Sequence, residues 1–185
     1  MKLQTIQALT AAATPFLRID GIKPVSWCRN VQSGSRFGPW RYEAVFAELD
    51  GKTWQREGEV IYFVTDRQSQ LRLVGESGGR LKDRWRMSPM HDVTTRAPLG
   101  RKALFHSTAW AAIEQAFGTE APPFTISALF GADLARLLVA LGAMGTLPTS
   151  QDHLCRRAEA AILAAQGGAL GLWNKKGVSA AKSFT

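Results

Sequence analysis

A chain of 185 residues, 45% of them apolar, suits one domain with its own core and is too apolar for a disordered segment. No stretch is long and uniformly apolar enough to span a bilayer, which argues against membrane insertion. The net charge of +8 favours a polyanionic partner through counterion release and says nothing about fold.

Leu3, Ile6, Leu9, Ala13 and Phe16 recur at helical spacing, so the chain opens on an amphipathic helix. Gln4, Thr5, Gln7 and Thr10 make the same stretch too polar for a secretion signal, and the expected location is the cytoplasm. Gly21 to Trp40 reads as irregular, punctuated by Pro24, Gly34, Gly38 and Pro39. Arg41 to Leu49 alternates as a strand, Asp50-Gly51 signals a turn, and Lys52 to Gln55 reads as a short return strand.

Glu59 to Thr65 and Gln70 to Val74 form the next hairpin, turning through Asp66 to Ser69. Period-two geometry sets Tyr62 and Val64 on one face, Ile61 and Phe63 on the other. Ser77 is the expected N-cap of a helix running to about Met87. On that helix Leu81 and Trp85 share one face while Arg80 and Arg84 share another.

Ser107 opens a helix carrying Trp110, Ile113 and Phe117, and Pro122-Pro123 then breaks the chain. Ser127 to Met144 reads as a helix apolar nearly all round, hence buried in the core or against a partner subunit. Thr149 or Ser150 starts a last helix to about Gln166, with Leu154, Ala158 and Ile162 on its packing stripe.

Cys28 and Cys155 lie far apart and form no CxxC pair, which argues against a structural zinc site and for two free thiols. His91, His106 and His153 have no zincin-like spacing and read as structural. Gly75 to Gly79 match neither GxGxxG nor GxxxxGK[ST], and read as a tight strand-to-helix turn rather than a nucleotide loop.

Cutting a phosphodiester needs an activated water, positive charge at the phosphoryl oxygens and a protonated leaving oxygen. Three side chains suit those tasks. The Tyr62 phenol ordinarily titrates near 10 and needs nearby cations to act as a base at neutral pH. The Arg84 guanidinium offers a planar fork for phosphate. Glu159 follows Ala158 on the last helix's packing stripe, so its carboxylate can face a cleft and hold a metal ion. Read singly, each has a blander role: a packing tyrosine, a surface arginine, a glutamate paired with Arg156 or Arg157.

Their order resembles the catalytic core of the GIY-YIG nucleases, specifically the restriction-endonuclease branch. Val60-Ile61-Tyr62 lies where the GIY element is expected, Leu73-Val74-Gly75 at the YIG element, and Arg84 at the helix arginine. Glu159 matches the metal-binding glutamate and Asn174, in Leu172-Trp173-Asn174, the closing asparagine. The likeness spans about Gly58 to Gly177, with a long interruption between Trp85 and Ser150. Two positions depart: Val60 replaces the first glycine, and Leu73 the second tyrosine.

The resemblance implies an α+β fold, a small antiparallel sheet flanked by helices, with residues 1–57 as an N-terminal extension and possible DNA-embracing arm. Residues 58–185 are then the nuclease core, with a helical insertion over about 87–149. It implies a catalytic set of Tyr62 as base, Arg84 stabilising the transition state, Glu159 holding one Mg2+ or Mn2+, and Asn174 closing the site. Lys82 or His91 would assist Tyr62 in the role of the family histidine. The implied partners are double-stranded DNA and a second copy of the chain. Arg80, Arg86, Arg96, Arg101 and Lys102 crowd one stretch and are candidate DNA contacts. The leading expectation is a site-specific DNA endonuclease. A structure-selective repair or recombination nuclease and a non-catalytic basic DNA-binding module remain open, the last because of Leu73.

Overall fold

The hairpin at the centre of the sequence reading forms as expected. In the computed structural model, β1 is Thr14–Pro24, β2 Trp27–Arg29, β3 Tyr42–Glu48, β4 Val60–Thr65, β5 Leu71–Ser77, β6 Arg86–Asp92, β7 Pro98–Phe105 and β8 Phe124–Phe130. The helices are α1 (Leu3–Ala12), α2 (Gly51–Gln55), α3 (Leu81–Arg84), α4 (Gly131–Ala140) and α5 (Leu154–Ala165), with a 3-10 turn at Met144–Thr146. The structure describes residues 1–24, 27–29, 42–92, 95, 97–105, 122–165 and 172–174, and side chains for 1–21, 45–85, 95, 97, 100, 122–165 and 172–174.

The fold is α+β. One sheet has five strands in the order β3-β1-β8-β4-β5, every neighbouring pair antiparallel, and a second has three in the order β2-β6-β7. Ile61 and Phe63 on β4, Val74 on β5 and Leu129 on β8 meet α1, α4 and α5 on one face, through Ile6, Leu9, Leu134, Leu138, Ala158 and Ile162. Most of these are fully buried, and each such side chain contributes about 1.5–3 kcal/mol of burial. The other face carries Val60, Tyr62 and Val64, paired across β8 with Phe130, Ala128 and Ile126, and across β5 with Ser77, Gly75 and Leu73. Leu81 and Trp85, expected to share a face, are both fully buried.

Several expectations are overturned. The opening helix stops at Ala12, because Pro15 has no N–H to continue it. Phe16 fits helical spacing yet belongs to β1, and that strand runs through the segment expected to be irregular as far as Pro24. The return strand at Lys52 to Gln55 is instead α2: Asp50 caps it, its carboxylate accepting from the Lys52 and Thr53 N–H groups at 3.0 and 3.4 Å. Ser77 ends β5 rather than capping a long helix; α3 is one turn, and β6 begins at Arg86.

The stretch read as an all-apolar helix from Ser127 splits into β8 and α4. β8 lies between β1 and β4 and is buried at all but one of its residues, on both faces, so it shows no alternation. The insertion at 87–149 is therefore not helical throughout; it supplies β6, β7 and the central strand. Of the described residues before Gly58, those of β1 pair with β8 inside the sheet. The last helix starts at Leu154, after a turn in which the Ser150 hydroxyl accepts from the Asp152 N–H at 3.2 Å. The helix expected from Ser107 lies outside the described residues. Among described residues no helix is long and apolar enough to cross a membrane.

Candidate active site

Tyr62 is 1% exposed, and its ring lies over Gly75 on the paired strand. A Cβ at Gly75 would fall inside the phenol, so only glycine lets the ring cross β5, the edge strand, and bring its oxygen toward the sheet margin. Trp85 holds the ring edge-to-face, with centroids 5.7 Å apart and planes at 84°. The Arg84 Nε–H donates to the phenol oxygen at 3.4 Å. Burial pushes the Tyr62 phenol up to about 12; the Arg84 charge and hydrogen bond oppose this, while Glu159 and Glu76 add to it. At neutral pH it is a neutral phenol.

Burial also works against the Arg84 charge, but Tyr62, Glu76 and Glu159 more than offset it and raise its pKa. Glu159, from α5, is half-buried; burial and then the like charge of Glu76 push its carboxyl up to about 7, against Arg84 and Arg156. Phenol, guanidinium and carboxylate thus meet electrostatically although Tyr62 and Glu159 come from β4 and the last helix.

Glu76, opposite Ile61 on the helix-covered face of β5, is 15% exposed and stands at the hub. Its Oε2 lies 3.2 Å from His153 Nε2 and its Oε1 3.5 Å from Arg156 Nε.

Compared with protein-family models, curated proteins and solved structures, the chain finds no match. The site therefore stands on its own geometry.

The other expected residues fall into three groups. Asn174 is close but occupied: its Nδ2 donates to the Val74 carbonyl at 2.7 Å and its Oδ1 accepts from the Val74 N–H at 3.1 Å. That is a lock on the edge strand rather than a group turned to a substrate. Lys82 is exposed on α3, and Arg80, also exposed, pairs with Glu57 at 3.2 Å and Asp83 at 3.5 Å. Arg86 and His91 lie on β6, Arg101 and Lys102 on β7; their side chains, and Arg96 altogether, lie outside the described residues.

Leu73 is 4% exposed and fills the place of the second tyrosine as a core side chain. The remaining tyrosine of the chain, Tyr42, lies on β3, three strands from β4 and so more than roughly 14 Å away. Among the described side chains no second phenol joins Tyr62.

Sequence reasoning missed Glu76, and took His153 as merely structural. The signal for the first was alternation, which sets 74 and 76 opposite Tyr62. For the second it was the run His153, Arg156, Glu159, each three residues from the next on a helix. A groove of about 780 Å³ opens elsewhere, between α1 and the hairpin tip, lined by Gln7, Thr10, Arg67, Gln70 and Pro123 among others. It does not include the Tyr62 site.

Proposed function

We propose that the chain is a metal-dependent DNA endonuclease of the GIY-YIG kind, with duplex DNA and a second copy of itself as partners, acting in the cytoplasm. One observation carries the reading: Tyr62 and Arg84, singled out for phosphodiester chemistry, meet at Gly75 with 3.4 Å between Arg84 Nε and the phenol oxygen, and the Glu159 charge bears on both.

Glu159 would hold the magnesium or manganese ion, and the donor set fits. Burial, and then the like charge of Glu76, raise the proton affinity of Glu159 to about 7, and a hard cation with oxygen ligands would favour its charged form. When bound, the ion supplies positive charge at the phosphoryl oxygens. Arg84 adds to the same stabilisation from the other side, and its guanidinium stays charged throughout. Tyr62 accepts the proton of the attacking water only with cationic help, since burial keeps it a phenol; Arg84, already donating to its oxygen, gives part of that help. Asn174 holds the strand that presents Gly75 and Glu76.

A second reading, a non-catalytic DNA-binding module, is favoured by one fact, the buried Leu73. Incubating the purified chain with long duplex DNA and magnesium, beside Glu159→Ala, separates them. Discrete fragments that vanish in the variant support a site-specific nuclease. Cleavage without discrete fragments points to the structure-selective alternative. Salt-sensitive binding with intact DNA under magnesium and manganese alike supports the binding module.

A further inference from the structure

Glu59, His153 and Cys155 bring a carboxylate oxygen, an imidazole nitrogen and a sulfur within 4.8 Å of one another. Glu59 comes from just before β4, His153 and Cys155 from the start of α5, so the fold rather than a spacing motif assembles them. The imidazole is already oriented. His153 Nε2 lies 3.2 Å from Glu76 Oε2, while Nδ1 accepts from the Arg156 N–H at 3.3 Å. A proton held on Nε2 by Glu76 leaves the lone pair on Nδ1, the tautomer that carboxylate–histidine–metal arrangements use, and a metal ion there takes the place of the Arg156 N–H. Nδ1 is also the nitrogen nearer Glu59, 3.8 Å from its Oε2.

We propose that Glu59, His153 and Cys155 bind a divalent transition ion, zinc foremost, with Glu76 as the outer carboxylate and a fourth position left to water. Nitrogen, sulfur and one oxygen are the ligands zinc takes in tetrahedral sites, whereas magnesium asks for oxygen alone. Zinc bonds of about 2.0–2.3 Å put tetrahedral ligand atoms roughly 3.5 Å apart, so the trio must draw in by about 1 Å. The Glu59 side chain, 46% exposed, has that freedom.

Nothing here rests on the nuclease reading, and the absence of a CxxC pair, which argued against zinc, does not bear on a mixed site built by tertiary contact.

The test is titration of the metal-free full chain with Co2+, then displacement by Zn2+. The expected result is one equivalent bound, with a near-ultraviolet sulfur-to-cobalt charge-transfer band. That band should vanish in Cys155→Ser and persist in Cys28→Ser and Glu159→Gln. Because Cys155 is in the core, Glu59→Gln is the second variant: its exposed side chain leaves folding intact, and zinc affinity should fall at least about tenfold. Glu76→Gln should cost about 10–100-fold. No thiolate band in the wild type, a band that follows Cys28, or unchanged zinc affinity in folded Glu59→Gln would overturn the site.

Discussion

The two faces of the β4–β5 hairpin differ by one residue of register and present opposite chemistry. On one, Tyr62 covers Gly75 under Trp85, and burial, helped by the charges of Glu159 and Glu76, keeps the phenol neutral against the pull of Arg84. On the other, Glu76 gathers His153, Arg156 and the field of Glu159, and like charge adds to burial in holding a proton on. Each face is short of positive charge for its own reason. The first needs a cation to ionise a buried group, the second to separate crowded ones. Under the proposed reading a single dication at their shared edge would serve both.

The sharpest way to break this comparison is Gly75→Ala, since a Cβ there meets the phenol ring rather than open space. Overpacking of this kind should lower stability by about 3 kcal/mol in urea unfolding. Gly78→Ala, where a Cβ meets nothing within 4 Å, is the control and should stay within about 0.5 kcal/mol. In a Tyr62→Ala background Gly75→Ala should cost clearly less than in the wild type, because the ring is what the methyl displaces. An equal cost in both backgrounds would mean the backbone, not the phenol, demands glycine.

The carboxylate face is tested by pH. Glu159 has its folded pKa raised from the ordinary 4.5 to about 7, so between those values the folded protein holds a proton that the unfolded chain has lost. Its contribution is fully present below about pH 4.5 and is lost as pH rises through 7. Glu159→Gln removes that loss. The metal-free variant should match the wild type near pH 4.5 and exceed it by about 2 kcal/mol at pH 8. Equal pH profiles would show that neither burial nor Glu76 raises the Glu159 carboxyl.

What the sequence made legible follows the same division. The hairpin, the opposition of Tyr62 to Ile61, the shared face of Leu81 and Trp85 and the last helix are all local periodicities, and each formed. Pro15 carried a breaker signal that helical spacing at Phe16 masked. β8 was illegible for a better reason: a strand flanked on both sides and buried on both faces has no alternation, so an apolar run continuing into α4 looks like one helix. Asp50-Gly51 serves a turn and a helix cap equally. The Glu76 hub depends on α5 starting beside the β5 edge, a tertiary fact that no window of sequence contains.

Asn174 is where the resemblance and the structure make different claims, and the effect separating them is the smallest. The likeness sets it among catalytic residues. In the structure its amide makes the two bonds to Val74 that a neighbouring strand would make, and the Trp173 N–H donates to the Arg72 carbonyl at 2.7 Å while its ring meets Phe124 edge-to-face at 5.2 Å. β5 is an edge strand, and an edge leaves backbone donors and acceptors unpaired; the Leu172-Trp173-Asn174 segment pairs two of its residues, Arg72 and Val74. Asn174→Ala should cost only about 1 kcal/mol, because water reaches the freed Val74 groups at the edge. Asn174→Asp keeps an acceptor for the Val74 N–H but turns a second oxygen on the carbonyl, so it should do no better. If cleavage in these variants falls only as the folded fraction falls, Asn174 is a lock. A rate lost at full stability would instead return it to the reaction, and the lock would be a resting arrangement that substrate releases.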